Sequence, residues 1–211
     1  MESIYSEIKI VTVPKMRIAR YVIISPNPEH DVISYMDNWA KNTGLLDLKD
    51  YEPRRIGWDF PFISKQQAEQ FGLRGYVSAY IIPEDFEPKC DGAEIAYINE
   101  DTYAMLRLTD PHSDSFVKIP KGYEILTEFV NSGEYKTTTW ENRIAFEEEY
   151  DLNGVHYMDI YIPAQSLDLV QLSPSCKSAF WGIVRHILSL GAKVHQGGNT
   201  FCGLVRDVVI F

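Results

Sequence analysis

Two passages of the chain carry the same order of hydrophobic patterns, and this repetition constrains the fold more than any other feature. In the first passage, β-branched and aromatic runs within residues 8–24 precede a helical period over residues 30–42. Strand patterns follow at residues 56–60 and 77–83. The polar insertion between them, residues 64–75, has room for a short helix.

The second passage repeats this order. A strand pattern at residues 103–108 precedes a helical period over residues 117–131, and strand patterns follow at residues 144–150 and 157–163. Asn153-Gly154 between the last two favours a tight hairpin. The sequence therefore predicts an α+β fold in which two strand-helix-strand-strand repeats share one antiparallel sheet. Both helices are expected behind the sheet, which leaves its other face open as a ligand groove.

Three successive carboxylates lie within the strand pattern of the second repeat. In an alternating strand Phe146, Glu148 and Tyr150 share one face, whereas Glu147 and Glu149 share the other. A carboxylate between rings on an inward face is costly unless a cation or hydrogen-bond donors meet it. The pattern indicates a site for a flat, positively charged small molecule. The alternative is a strand edge whose acids point into water.

The charge balance narrows the classes of function. The 211 residues carry a formal net charge of -10, and they contain no basic stripe or helix-turn-helix pattern. Direct binding to nucleic acid is therefore not expected. The excess of acid suits a cationic ligand, although a soluble cytosolic protein without such a ligand has the same balance.

The compartment expected from the sequence is the cytoplasm. Residues 1–7 lack the apolar run of a signal peptide, and no apolar segment is long enough to cross a membrane. Cys90, Cys176 and Cys202 are odd in number and widely spaced. Such cysteines are typical of reduced thiols rather than of a disulfide framework or a zinc site.

A set of short motifs runs through both repeats in a fixed order. They are Val13-Pro14, Met16–Ala19, Trp39-Ala40, Ile56-Gly57, Tyr80 with Ile82-Pro83, Phe146–Tyr150 and Met158–Pro163. In order and spacing, the set resembles the GyrI-like small-molecule-binding domain of the SOUL-like superfamily. That domain is the effector-binding module of multidrug-sensing bacterial transcription activators. The resemblance implies an effector-binding domain over residues 1–164.

The resemblance also implies a ligand groove between the repeats, which holds a buried glutamate, aromatic side chains and a second acid beside a tyrosine. The family pattern Glu-x-Tyr carries the buried acid over to Glu148, two residues before Tyr150, and the second acid and its tyrosine to Asp159 and Tyr161. Acids flank Glu148 on both sides, so whether Glu147 or Glu148 faces the groove stays open. The aromatic residues expected in the site are Trp58, Phe60, Tyr80, Phe146, Tyr150 and Tyr161.

Residues 165–211 leave the family pattern and are expected to form a C-terminal extension. Within it, residues 175–190 have the pattern of one amphipathic helix. The extension has three possible roles: it caps the groove, forms an oligomer interface or packs on the domain.

No cofactor or metal is expected from the sequence. The histidines are scattered, and none lies at metal-ligand spacing from another histidine or a cysteine. They are His30, His112, His156, His186 and His195. A haem, which distant relatives of the resembled fold bind, has no identifiable axial ligand here.

Three functions are compatible with these patterns. The first is a stand-alone cytosolic domain that senses or sequesters aromatic, cationic small molecules, in which Glu148 neutralises the ligand and Asp159 assists. The second is a hydrolase of reactive small molecules with Glu148 as general base. The third is a regulator that binds a DNA-handling enzyme such as gyrase through its acidic surface. The small molecule is the partner expected, with a protein partner or a homo-oligomer left open and no nucleic acid or membrane.

Overall fold

The computed structural model describes residues 4–132, 135–136 and 143–166. The strands are β1 (Lys9–Val13), β2 (Met16–Ser25), β3 (Arg54–Asp59), β4 (Arg74–Ile81), β5 (Glu94–Ile98), β6 (Asp101–Thr109), β7 (Tyr135–Lys136), β8 (Phe146–Leu152), β9 (Val155–Pro163) and β10 (Gln165–Ser166). The α-helices are α1 (Pro28–Thr43), α2 (Lys65–Phe71) and α3 (Ser115–Asn131).

Eight of these strands form one curled sheet in the order β1-β6-β9-β8-β3-β4-β2-β5. All of its pairings are antiparallel. The short strands β7 and β10 pair with each other. The predicted hairpin joins β8 to β9, and both Asn153 and Gly154 have a positive φ, as a tight turn requires.

The two predicted repeats are present. The first consists of β2, α1, β3 and β4, and the second consists of β6, α3, β8 and β9. They meet where β3 pairs with β8 at the centre of the sheet. The short helix expected in the polar insertion is α2, which begins with a capping box between Ser64 and Gln67. The predicted α+β fold of two repeats on one antiparallel sheet is confirmed.

The two edge strands exchange partners between the repeats. Strand β1 precedes the first repeat but pairs with β6 of the second, and β5 precedes the second repeat but pairs with β2 of the first. Strand β5 was not expected from the sequence. Its five residues are mostly exposed, so they lack the inward apolar alternation that identifies a longer strand.

Helices α1 and α3 pack on the same face of the sheet, one over each repeat. Val32, Met36 and Trp39 of α1 lie in one buried cluster with Tyr76 and Tyr80 of β4. A second buried cluster joins α3 to β6 and β9, with its members Ala104, Leu106, Leu108, Leu126, Val130, Met158, Ile160 and Ile162. The face of the sheet opposite the helices has a third cluster, which includes Met16, Ile56, Trp58, Tyr103 and Phe146.

Some features predicted from the sequence lie in residues that the structure does not describe. The amphipathic helix at residues 175–190, Cys176 and Cys202 lie outside the described residues, and the domain boundary after residue 164 stays a prediction. Cys90 is an exposed free thiol. Within the described ranges, no helix is both long and apolar enough to pass through a bilayer.

We expect Leu126→Ala to lower the free energy of unfolding by about 2–5 kcal/mol, because Leu126 is fully buried and its removal leaves a cavity between α3 and the sheet. Phe116→Ala on the same helix is the control, since Phe116 is 92% exposed and its loss costs less than about 0.5 kcal/mol. Urea denaturation measures both values. Equal effects would contradict the packing of α3 on the sheet.

Candidate functional site

The alternation of β8 sends its successive acids to opposite faces of the sheet. Phe146 belongs to the cluster on the face away from the helices, and Glu148 has the same parity. Glu147 contacts Tyr76 on the helix face and Tyr123 of α3 itself. The two candidate acids that the sequence left open therefore have different surroundings.

Glu148 is neutralised by an arginine of the same domain. Its two carboxylate oxygens accept hydrogen bonds from Arg54 Nε at 2.6 Å and from Arg54 Nη2 at 2.8 Å. The carboxylate is buried while the arginine side chain is half exposed. This bidentate pair satisfies both the charge and the oxygen lone pairs that burial would otherwise leave unpaired.

Asp159 is neutralised in the same way. Arg107 donates from Nε at 2.7 Å and from Nη2 at 2.9 Å, and the Tyr150 hydroxyl donates to the same carboxylate at 3.0 Å. The Arg107 guanidinium also lies over the rings of Tyr150 and Tyr157. Asp159 lies directly across from Glu148 in the β8–β9 pairing, so the structure brings together the two acids that the family pattern singled out.

The predicted aromatic residues separate into three groups. Phe146 stacks on Tyr161 with ring centroids 4.6 Å apart, and both belong to the packing on the face away from the helices. Trp58 shares that packing and, with Phe60, also lines a cavity. Tyr80 points to the helix face instead, where its hydroxyl donates to Asp37 at 2.8 Å.

Among the described residues, two hydroxyl groups hold Glu147. Its carboxylate accepts a hydrogen bond from Tyr76 at 2.6 Å and a longer one from Tyr123 at 3.3 Å. Among the residues that the structure describes, no arginine, lysine or histidine forms an ion pair with it. Glu147 thus differs from Glu148 and Asp159 in having hydrogen-bond donors but no positive charge.

Gly57 makes the contact between Tyr76 and Glu147 possible. Gly57 on β3 lies opposite Glu147 on β8, and the Tyr76 ring crosses β3 at this position to reach the carboxylate. A Cβ atom on Gly57 would lie 2.7 Å from Cε1 and 2.8 Å from Cζ of that ring. Since a rigid aromatic ring on a sheet strand cannot yield to such an overlap, glycine is required here.

Burial and surrounding acids favour the protonated form of Glu147. The pKa of Glu147 is raised from 4.5 to about 7. Burial is the largest cause, the hydrogen bond from Tyr76 lowers the pKa, and the charges of Glu29, Glu149 and Asp59 raise it further. Desolvation and the charge of Glu149 also raise the pKa of Glu29, although Glu29 is an exposed residue. Three other acids, Glu29, Glu149 and Asp59, are therefore close enough to Glu147 to disfavour its negative charge.

A cavity of about 1200 Å³ is lined by Trp58, Phe60, Phe62 and Tyr123. Tyr123 donates to Glu147, whereas Glu147 itself lines a separate, smaller pocket with Gly57 and Tyr76. Asp59 lies at the wall of the larger cavity, and its carboxylate has no hydrogen bond or ion pair with any described residue. The arginines on the lining are engaged elsewhere, Arg20 with Glu94 and Arg143 with Asp101. The arrangement offers aromatic surface to a bound molecule, with the Asp59 carboxylate at its wall.

No family model and no curated protein matches the chain. Among solved structures, the C-terminal domain of EcmrR matches with a TM-score of 0.55 and 11% identity, over 78% of this chain and 100% of that domain. EcmrR in a complex with DNA matches with the same TM-score and identity, over 78% of this chain and 59% of the EcmrR chain. SAV2435 bound to tetraphenylphosphonium has a TM-score of 0.48 and 10% identity, over 79% of this chain and 98% of that protein.

The likeness to EcmrR shows that this chain has the fold of that protein's C-terminal domain. The resemblance to the GyrI-like effector-binding domain, drawn from short motifs, is thereby confirmed at the level of the fold. An identity of 11% leaves the residues of the site to be argued from this chain alone.

Sequence reasoning missed the two hydroxyl donors of Glu147. Tyr123 lies within the helical period predicted over residues 117–131, which does not distinguish it from a packing residue, and Tyr76 directly precedes the strand pattern at residues 77–83. A usable signal existed in Tyr76 and Tyr80, whose even spacing puts two hydroxyls on one face of β4. Their partner on β8 depends on the pairing of β3 with β8, which the sequence pattern does not specify.

We expect Gly57→Ala to destabilise the protein by more than about 1 kcal/mol, because the new methyl group overlaps the Tyr76 ring. In a Tyr76→Ala background the same substitution should cost much less, since the overlapping ring is gone. Denaturation of the wild type, both single variants and the double variant gives this coupling energy directly. Additive effects would mean that Gly57 is required for another reason.

We expect the contribution of Glu147 to stability to be lost as pH rises. Because its pKa is higher in the folded protein than its usual 4.5, the stabilisation is complete below pH 4.5 and disappears as pH passes about 7. The loss amounts to roughly 3 kcal/mol at most. Urea denaturation from pH 4.5 to 8 in metal-free buffer should show a smaller decline for Glu147→Gln than for the wild type. Glu148→Gln, the matched control, should keep the wild-type decline in this range.

Proposed function

We propose that this domain binds bulky aromatic cations in the cavity beside Glu147, and that it acts as a sensor or sequestering protein related to the effector domains of transcription regulators. The observation that carries the proposal is the state of Glu147. It is a partly buried carboxylate with two hydroxyl donors and no cationic partner among the described residues. A ligand that brings a positive charge would complete this arrangement.

Glu148 and Asp159 suit this role less well than Glu147. Each already accepts two hydrogen bonds from an arginine, so a cationic ligand would have to displace a bidentate guanidinium before it gained any attraction. Removing one partner of such a pair leaves an uncompensated charge. We therefore assign the neutralisation of the ligand to Glu147, the alternative that the acidic run of β8 had left open.

The aromatic lining supplies the second part of the affinity. A cation over an aromatic face gains about 0.5–2 kcal/mol, with the larger values where water is excluded. Trp58 and Phe60, both expected in the site from the sequence, line the cavity with Phe62 and Tyr123. Phe62 is 80% exposed, so it is available to close over a bound molecule. In this proposal Tyr123 links the two parts, because it lines the cavity and donates to Glu147.

The fold supports a connection with regulation. EcmrR, whose C-terminal domain has this fold, occurs in a complex with DNA. With a net charge of -10 and no basic stripe, the present chain is unsuited to contact DNA itself. We therefore propose that any effect on DNA passes through a separate protein or segment that responds to the bound ligand.

We expect the purified protein to bind tetraphenylphosphonium, a probe with a permanent positive charge and four aromatic rings, at pH 8, where Glu147 is ionised. At about 100 times its dissociation constant the probe should add roughly 2.7 kcal/mol to the free energy of unfolding. Calorimetric titration should show at least about tenfold weaker binding to Glu147→Gln, because loss of one charged contact is worth 1.4 kcal/mol or more. Glu148→Gln should bind as the wild type does.

Two results would contradict the assignment. Weaker binding in Glu148→Gln but not in Glu147→Gln would mean that the ligand binds on the opposite face of the sheet, beside Glu148. Absence of binding by the wild type to tetraphenylphosphonium and to a panel of planar aromatic cations would favour the protein-partner hypothesis. Both variants must retain the wild-type circular dichroism spectrum for the comparison to hold.

Hydrolysis is the second candidate, and one observation favours it. A carboxyl group with a pKa of about 7 is well matched to general-base catalysis near neutral pH, and Tyr76 and Tyr123 hold hydroxyls beside it. Mass spectrometry of each bound compound after incubation separates the two functions. A compound recovered unchanged supports binding, whereas addition of one water, lost in Glu147→Gln, would establish a hydrolase.

A further inference from the structure

Two histidines and one glutamate converge at the end of the sheet near the β8–β9 hairpin. His112 lies in the 3₁₀ turn after β6, Glu149 lies on β8 and His156 lies on β9. The Nε2 atoms of the two histidines lie 3.0 Å and 3.1 Å from the same atom, Glu149 Oε2. The three donor atoms are all within 4.8 Å of one another.

We propose that His112, Glu149 and His156 form a binding site for a divalent transition-metal ion of the Zn²⁺ type. Tetrahedral Zn²⁺ holds nitrogen and oxygen ligands at about 2.0–2.1 Å, which sets neighbouring donor atoms about 3.3 Å apart. The two nitrogen–oxygen distances here are already 3.0 Å and 3.1 Å. Small rotations of side chains that are partly or largely exposed would therefore complete the coordination.

The donor set indicates which metals fit. Imidazole nitrogen suits Zn²⁺, Co²⁺, Ni²⁺ and Cu²⁺, whereas Mg²⁺ and Ca²⁺ prefer a shell of oxygen ligands. Two histidines and one carboxylate fill three positions of a tetrahedral ion and leave the fourth for water or another ligand. The nearby charge of Glu29, which acts on both Glu149 and His112, adds to the attraction for a cation.

Asp151 orients one of the ligands. Its carboxylate oxygen lies 3.1 Å from Nδ1 of His156, and the two residues are paired across β8 and β9. A carboxylate on the far nitrogen of a metal-binding histidine fixes the ring and increases its basicity. The hairpin turn at Asn153-Gly154 sets this pairing, so the orientation follows from the backbone.

The surroundings of His156 are compatible with a bound metal. Both of its nitrogens face carboxylate oxygens, Nδ1 facing Asp151 and Nε2 facing Glu149. A neutral imidazole carries one N–H, so one of the two nitrogens would face an oxygen with lone pair against lone pair. A metal ion between Nε2 and Glu149 removes that conflict while Nδ1 donates to Asp151. The alternative is a doubly protonated ring, which the experiment below separates from metal binding.

The sequence alone did not point to this site. Its ligands come from positions 112, 149 and 156, and only the pairing of β8 with β9 and the turn after β6 bring them together. Glu147 and the aromatic cavity contribute no ligand, so the inference is independent of the proposed function. Failure of either leaves the other intact.

The full chain, stripped with EDTA and dialysed into metal-free buffer at pH 7.5, tests the proposal. Titration with ZnCl₂ in a calorimeter should give saturable binding, and titration with CoCl₂ should produce the intense visible absorption of tetrahedral Co²⁺. His112→Ala, His156→Ala and Glu149→Gln should each weaken binding at least about tenfold and reduce the Co²⁺ absorption. Asp151→Asn should weaken binding about tenfold with the Co²⁺ spectrum retained, as for loss of an orienting partner.

The control is His30→Ala, because His30 is an exposed histidine distant from the three ligands in sequence. This variant should bind Zn²⁺ as the wild type does. Absence of saturable binding to Zn²⁺ and Co²⁺, or binding unchanged in both His112→Ala and His156→Ala, would overturn the proposal. A variant is included in the comparison only if its metal-free form unfolds at the same temperature as the metal-free wild type.

Discussion

The pairing of β3 with β8 is the connection on which the rest of the structure depends. It joins the two repeats into one sheet, and its register sets Ile56 opposite Glu148 and Gly57 opposite Glu147. A shift of one residue would exchange the faces of every side chain on β8. Glu147 would then lose its hydroxyl donors, and Glu148 would lose Arg54. The fold and the candidate site are therefore specified by the same few backbone hydrogen bonds.

The acidic run of β8 shows how strongly the surroundings decide the chemistry of one residue type. Glu148 meets a guanidinium, Glu147 meets two hydroxyls and Glu149 meets two imidazoles. A carboxylate that is paired with a guanidinium already has a positive partner, whereas a carboxylate that is buried among neutral donors can still take up a proton or a cation. Three adjacent residues of the same type thus have three different sets of partners, and these partners decide what each carboxylate can bind.

Local patterns made most of the fold predictable. The 3.6-residue period identified α1 and α3, the alternation identified the central strands, and Asn153-Gly154 identified the hairpin. These signals lie within segments of fewer than twenty residues, so no knowledge of partners is needed. Strand β5 lacked such a signal, and the exchange of β1 and β5 between the repeats has no local signature at all.

The candidate site was predictable only in part. Alternation along β8 separated Glu147 from Glu148 but could not say which of them an arginine would reach, because Arg54 is 94 positions away in the chain. Trp58 and Phe60 were predicted as site residues because they are two positions apart in an extended segment and so share one face. Both line the cavity at the end of β3. Tyr76, Tyr123 and the histidines required the tertiary arrangement, since their contacts join elements that are distant in sequence.

The exchange of edge strands has a consequence for synthesis on the ribosome. Strand β1 is made first, but its partner β6 is made only after the whole of the first repeat, as the pairing of Lys9 with Met105 requires. Until β6 is made, both edges of β1 lack a partner strand and are open to wrong partners. Pairings between such distant segments also slow folding, because a long loop must close before they form. Nascent chains that do not yet include β9, which ends at Pro163, therefore cannot complete the sheet.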